Sequence, residues 1–371
     1  MLQGKKLSLM VFGVYQNLSN IEINSSFGSY QINFQSIDSR KFDDSFFLID
    51  QNIQKTLNLS RDRCIFIAAD EATKTLLRVE DIMLQLSIKG MTKNNELVVI
   101  GGGYLQDIGT LVASLYMRGV KWSYVPTTLA AMGDSCIGGK SSINAGEVKN
   151  LVGNFYPPKA VFIDPLFIST LPNLEIIAGM SEIIKICFAR SFETFTECSQ
   201  MISEWQLHGN QQTITEIIKL SLKSKKYFVE EDEFDSGLRK LLNFGHSFGH
   251  ALESASKYKI PHGVAVLIGM IAASQHPSSE SSEETSRLIE TSLEFSKTLG
   301  KDVVSEIRNI DLEKFSKAIS KDKKNTNSDL VLILPMATGL EIVKIPFNQD
   351  ALGITTNAMK QGIEMVLHEI R

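Results

Sequence analysis

Five short apolar runs punctuate the first half of this 371-residue chain: residues 46–49 (FFLI), 64–67 (CIFI), 97–100 (LVVI), 122–125 (WSYV) and 160–163 (AVFI). Segments with helical periodicity, such as 79–88 and 108–117, lie between them. Strands alternating with helices make a parallel sheet covered on both faces, because each return to the same end of the sheet needs a crossover. After Leu171-Pro172 the texture changes. Amphipathic stretches at 175–190, 213–229, 244–256, 264–273 and 282–299 dominate, and strand-like runs are scarce until 330–334. The pattern predicts an α/β domain with a parallel sheet over residues 1–172, then a mainly α-helical domain over residues 173–371. The Ser/Glu-rich piece 277–286 reads as a solvated loop feeding a helix start.

A net charge of −4 and a pI near 5.9 leave no footprint for nucleic acid. No apolar run approaches the ~18 residues that cross a bilayer, so no membrane partner is expected. The opening residues 1–13 have a charged head, but their apolar part is short and no small-residue cleavage site follows, so a signal peptide is not expected. Cys64, Cys136, Cys187 and Cys198 show no CxxC spacing and read as free thiols of a reducing compartment, which predicts a cytoplasmic protein.

Two clusters carry chemistry. Gly101-Gly102-Gly103 follows an apolar strand, which lets the backbone approach a pyrophosphate with a helix dipole aimed at it. The fingerprint G-x-G-x-x-G is absent, and the carboxylate suited to a ribose, Asp50, precedes the glycines. An ordinary Rossmann unit is therefore disfavoured, and a related dinucleotide fold is not. Thr127 and Thr128 close another strand, and Asp134, Gly138, Gly139 and Lys140 set opposite charges around a glycine pair, with Lys149 and Asn150 close behind. In the second half, Arg239, Asn243, His246, His250 and His262 crowd one short stretch. His246 and His250 are four apart and share a helical face. Glu182 and Lys185, among Ile183, Ile184 and Ile186 at a helical start, read as a buried pair. Glu182 with two of the clustered histidines would make a His2Glu set with an open position, as at catalytic Zn2+, and spacing does not choose which two. His208, His276 and His368 read as surface residues.

Residues 101–190 and 225–270 resemble the 3-dehydroquinate synthase family of the sugar phosphate cyclases. The likeness rests on ordered motifs: EATK (71–74), GGGYLQD (101–107), YMRG (116–119), VPTT (125–128), DSCIGGK (134–140), Lys149-Asn150, FISTLP (167–172), AGMSEIIK (178–185), RKLLNFGHSFGH (239–250) and His262-Gly263. It implies a divalent metal, Zn2+ or Co2+, on Glu182, His246 and His262. It implies NAD against Asp50, Glu71, Lys74, Gly102, Gly103, Asp107, Thr127, Thr128, Lys140, Lys149, Phe167 and Thr170. Asp134, Lys140, Asn150, Lys185, Lys225, Arg239, Asn243 and His250 would surround a sugar phosphate, joined by Lys324 of the pair Lys323-Lys324. Arg118 would reach the neighbouring subunit's phosphate pocket, which implies a homodimer. The implied activity is a carbon–oxygen lyase of the shikimate pathway, cyclising 3-deoxy-D-arabino-heptulosonate 7-phosphate to 3-dehydroquinate. Lys225, Arg239 and Asn243 favour that carboxylated substrate over the alternative, sedoheptulose 7-phosphate or an amino analogue in secondary metabolism. Metal-dependent polyol dehydrogenases share the fold, and the many phosphate-type lysines weigh against them. Three residues depart from the family pattern: Gln106 for glycine, Ser247 for threonine, and Val264 for a glutamate beside His262.

Overall fold

Each of the five apolar runs forms a strand. The computed structural model of the protein describes residues 20–36, 42, 44–53, 61–146, 148–322, 324–326 and 328–370. The opening segment 1–13, read for a signal peptide, and Lys323 lie outside the described residues.

In chain order the first strands are β1 (Ile21–Ile23), β2 (Tyr30–Phe34), β3 (Phe46–Asp50), β4 (Cys64–Ile67), β5 (Leu97–Gly101), β6 (Trp122–Pro126), β7 (Lys140–Ala145), β8 (Val148–Phe155) and β9 (Ala160–Ile163). Seven of them make one sheet in the order β1-β2-β9-β6-β5-β3-β4. Every pairing in it is parallel except β1 with β2. β5 and β6 are buried at every position, as a sheet covered on both faces requires. Helices α1 (Leu76–Ile88) and α2 (Gly103–Leu115) pack beside each other and follow β4 and β5. β7 and β8 form a separate antiparallel hairpin that the sequence did not signal, because its residues are largely polar and only part-buried.

The rest is mainly helical: α3 (Asn173–Arg190), α4 (Phe192–His208), α5 (Gln211–Glu231), α6 (His246–Ala255), α7 (His262–Ser274), α8 (Glu283–Ser296), α9 (Lys301–Arg308), α10 (Leu312–Ile319) and α11 (Gln349–Glu369). Ser191, Ser282, Asp311 and Asn348 cap α4, α8, α10 and α11 with side-chain oxygens on first-turn N–H groups. The apolar run at 330–334 lies in β10 (Asp329–Met336), which pairs antiparallel with β11 (Gly339–Pro346). α7 is buried along almost its whole length and packs on α3, α6 and α11. One continuous apolar cluster runs from the sheet (Leu48, Val99, Tyr124) into the helices (Ile183, Phe248, Ile268).

Two expectations are corrected. His276 is not a surface residue: it is 4% exposed, its Nδ1 accepts from the Ser278 N–H at 3.1 Å, and its Nε2 lies 3.4 Å from Thr355 Oγ1 on α11. Residues 178–185 do not open a helix but occupy the middle of the 18-residue α3. His208 and His368 are exposed, and all four cysteines are buried. Among the described residues no helix is long and apolar enough to cross a membrane.

Candidate active site

Glycines set the spacing of the helices that carry the histidines. A Cβ on Gly263 would stand 2.3 Å from Ala178 Cα, so only glycine lets α7 lie this close to α3. Gly245, at φ 74°, precedes α6 and abuts α7, where a Cβ would meet the Val266 carbonyl at 2.9 Å. His246 and His262 are the first residues of α6 and α7, and the two contacts deliver them to Glu182 on α3. Glu182 Oε1 lies 3.9 Å from His246 Nε2 and 3.4 Å from His262 Nε2. His250, one turn along α6, joins them: ring nitrogens of His246, His250 and His262 all lie within 4.8 Å of one another. The Phe244 carbonyl accepts from His246 Nδ1 at 3.2 Å, and the Glu253 carboxylate pairs with His262 Nδ1 at 3.0 Å. A carbonyl can only accept, so His246 carries its proton on Nδ1 and keeps an Nε2 lone pair towards Glu182.

The charges are arranged around this point. Lys185 donates to Glu182 Oε2 and stands 3.8 Å from Asp134 Oδ2. Burial alone would raise the Glu182 carboxyl, but Lys185 and His262 outweigh it and hold the group well below the usual carboxylate range. Burial, Lys185 and the neighbouring imidazoles push His246 well below an ordinary histidine, and burial with His262 and Lys324 lowers His250 to about 4. Burial opposes charge on His262 too, but its bonds to Glu182 and Glu253 prevail and raise it to about 10.

Asp134 lies beside this centre on a single π turn, Ala131–Ser135, after β6. Lys225 on α5 bonds its carboxylate at 2.6 Å and its carbonyl at 2.7 Å, and Ser221 bonds the Gly133 carbonyl. Gln106 closes the other side: its Nε2 donates to the Ser135 carbonyl and Ser135 Oγ donates to its Oε1, both at 2.6 Å. Arg239 is 4% exposed, donates to the Glu233 and Gly138 carbonyls, and lies against Gly138, where a Cβ would meet Nη2 at 2.1 Å. Asp232 accepts from the N–H groups of Ser236, Gly237 and Arg239 and so shapes the loop that carries this arginine. Lys140 pairs with Asp235 at 2.5 Å; burial and Arg239 lower its ammonium pKa. Asn243 ends the 3-10 turn Leu238–Asn243. Lys324 reaches Ser247, between His246 and Phe248 on α6, at 3.2 Å.

The second set lines the carboxyl edge of the sheet. Asp50 ends β3, Gly102 and Gly103 follow β5, Thr127 and Thr128 follow β6, and Phe167 and Thr170 sit in the 3-10 turn Pro165–Thr170 after β9. Gly102 caps α2 without a side-chain hydrogen bond, leaving first-turn N–H groups for an anion. A Cβ there would stand 2.9 Å from Thr128 Cγ2. Lys74 ties Asp107 (3.0 Å), Asn150 (2.9 Å) and Glu71 (3.4 Å) into one network. Two residues stand apart from these groups. Lys149 lies over the Tyr258 ring at 3.6 Å, between α6 and α7, and Arg118 occupies an exposed turn at a left-handed φ of 62°.

Reading the sequence missed Glu253, Ser135, Asp232 and Asp235. Only Glu253 left a signal: it lies seven residues after His246 and three after His250, on the face they share.

Two family models match the chain: 3-dehydroquinate synthase N-terminal over residues 64–178 and 3-dehydroquinate synthase C-terminal over residues 179–325. A 3-dehydroquinate synthase from Campylobacter jejuni subsp. jejuni serotype O:6 is 33% identical over 339 residues, covering 87% of this chain and 95% of its own. One from Dictyoglomus thermophilum is 38% identical over 314 residues, covering 83% and 85%. The crystal structure of 2-deoxy-scyllo-inosose synthase with carbaglucose-6-phosphate, NAD+ and Co2+ superposes with a TM-score of 0.75 at 18% identity, covering 92% of this chain and 99% of that one. Sequence identity at this level over most of the chain, with the two family models together matching residues 64–325, makes this protein a member of the 3-dehydroquinate synthase family.

Proposed function

We propose that this protein converts 3-deoxy-D-arabino-heptulosonate 7-phosphate to 3-dehydroquinate with release of phosphate, the reaction for which its family is named. The observation that carries the reading is the convergence of Glu182, His246 and His262 beside the cations Lys185, Lys225 and Arg239. The donors fit a divalent metal: one ionised carboxylate and two imidazoles around one point. The carboxyl edge of the sheet fits a dinucleotide, with an uncapped helix N-terminus for its pyrophosphate and Asp50 for a ribose. When bound, NAD would take a hydride from the substrate and later return it, and Zn2+ or Co2+ would acidify the hydroxyl being oxidised.

The side chains of the chain do the rest. Lys185 and Lys225 hold Asp134 in place, and Lys185 balances the Glu182 charge. Two of Arg239's donors engage carbonyls, and a guanidinium has five, so donors remain for a bidentate pairing with a substrate carboxylate. His250, lowered to about 4, is neutral near pH 7 and accepts a proton. Removal of the proton beside the transient ketone breaks the carbon–oxygen bond to phosphate, and the electron pair leaves with the anion. Lys324 and Lys140 receive that phosphate, with Arg118 of a second copy in a homodimer. Exposed Leu77, Leu84 and Ile88 on α1 and Met117 beside Arg118 support a covered surface. The buried cysteines support a cytoplasmic setting.

The test is NAD-dependent phosphate release from the heptulosonate phosphate, without net NADH and abolished by a chelator. Turnover confined to sedoheptulose 7-phosphate or an amino analogue, or accumulating NADH, would overturn it.

A further inference from the structure

His262 differs from the other imidazoles in what lies behind it. His246 turns its Nδ1 to a neutral backbone carbonyl, whereas His262 turns its Nδ1 to the carboxylate of Glu253 at 3.0 Å. Val264, two residues along α7, is fully buried and apolar and offers no acceptor. Glu253 is 9% exposed and sits on α6, on the face that also presents His246 and His250. One helix therefore supplies its own histidine to the centre and a brace for the histidine of its neighbour.

We propose that Glu253 is the positioning residue of this centre, holding the His262 ring through its Nδ1–H so that Nε2 faces Glu182 and gives up its own proton when a metal binds. An imidazole without such a partner can flip its ring or exchange tautomers, and either change turns the lone pair away. A carboxylate behind the ring also makes Nε2 the stronger donor, and losing such a partner typically costs roughly 10–100-fold in metal affinity. The proposal rests on the reading that Glu182, His246 and His262 hold a divalent ion.

The experiment titrates metal-free protein with Zn2+ against a competing chelator, for wild type, Glu253→Gln, His262→Ala and the double variant, with NAD binding as a check on folding. Glu253→Gln should raise the Zn2+ dissociation constant by roughly 10–100-fold. In the His262→Ala background the same change should do nothing further, because the brace would have no ring to hold. Unchanged affinity in Glu253→Gln, or equal weakening in both backgrounds, overturns the proposal and leaves the metal reading standing. Wild type that binds no Zn2+, or His262→Ala that binds as tightly as wild type, overturns the metal reading and the proposal with it. Should Glu253→Gln fail to bind NAD, Glu253→Asp in the same cycle decides, with weakening expected only when His262 is present.

Discussion

Gln106 changes meaning once its partner is seen. Its amide and Ser135 exchange two hydrogen bonds, so a residue that departs from the family pattern pins the π turn bearing Asp134. Gln106→Leu would remove both hydrogen bonds and leave the half-buried Ser135 carbonyl without its amide donor, at a cost of about 1 kcal/mol. The urea midpoint should fall accordingly, and kcat with it as Asp134 loosens; an unchanged midpoint would show the pair to be idle. Asp232 makes a prediction in pH. Three N–H groups outweigh the modest burial and lower its carboxyl to about 2, so its stabilisation is complete above the unfolded value near 3.8 and fades as pH falls towards 2. The stability gap between wild type and Asp232→Ala should be constant near neutrality and close across that acid window. At this scale the sequence spoke through neighbours: isoleucines flanking Glu182 and Lys185 revealed a buried pair. His276 was illegible because Thr355, which covers it, lies 79 residues on.

Apolar runs and helical periods were legible because buried strands and amphipathic helices each leave a period in the sequence. β1, three residues long, and the polar hairpin β7–β8 leave none, yet the hairpin is tied to the site: the Asn144 N–H bonds the Lys74 carbonyl, and Asp107 accepts from the Ser142 N–H. The close approach of α7 to α3 was equally silent, since a glycine after a histidine does not say what it touches. Its prediction is mechanical. Gly263→Ala forces a methyl against Ala178 and should cost about 1–3 kcal/mol by overpacking. Because the displaced helix carries His262, Zn2+ affinity should fall in parallel with stability. A variant that loses stability but keeps full affinity would separate the packing from the site.

For the molecule as a whole, the exposed Arg118 turn makes assembly testable through function. Arg118→Ala and Glu182→Gln should each be nearly inactive alone. Mixed and reassembled as dimers, they should recover about a quarter of wild-type activity, since one site in each mixed pair draws an intact arginine from its neighbour. No recovery would mean that each chain completes its own pocket. The core that runs unbroken from Leu48 to Ile268 sets a different limit. Neither lobe owns the wall that separates them, so a scanning calorimeter should record a single endotherm whose van 't Hoff and calorimetric enthalpies agree. A gene cut between the sheet and α3 would then yield two insoluble products rather than a cofactor module and a metal module, and lineages carrying this architecture would inherit it only as an undivided whole.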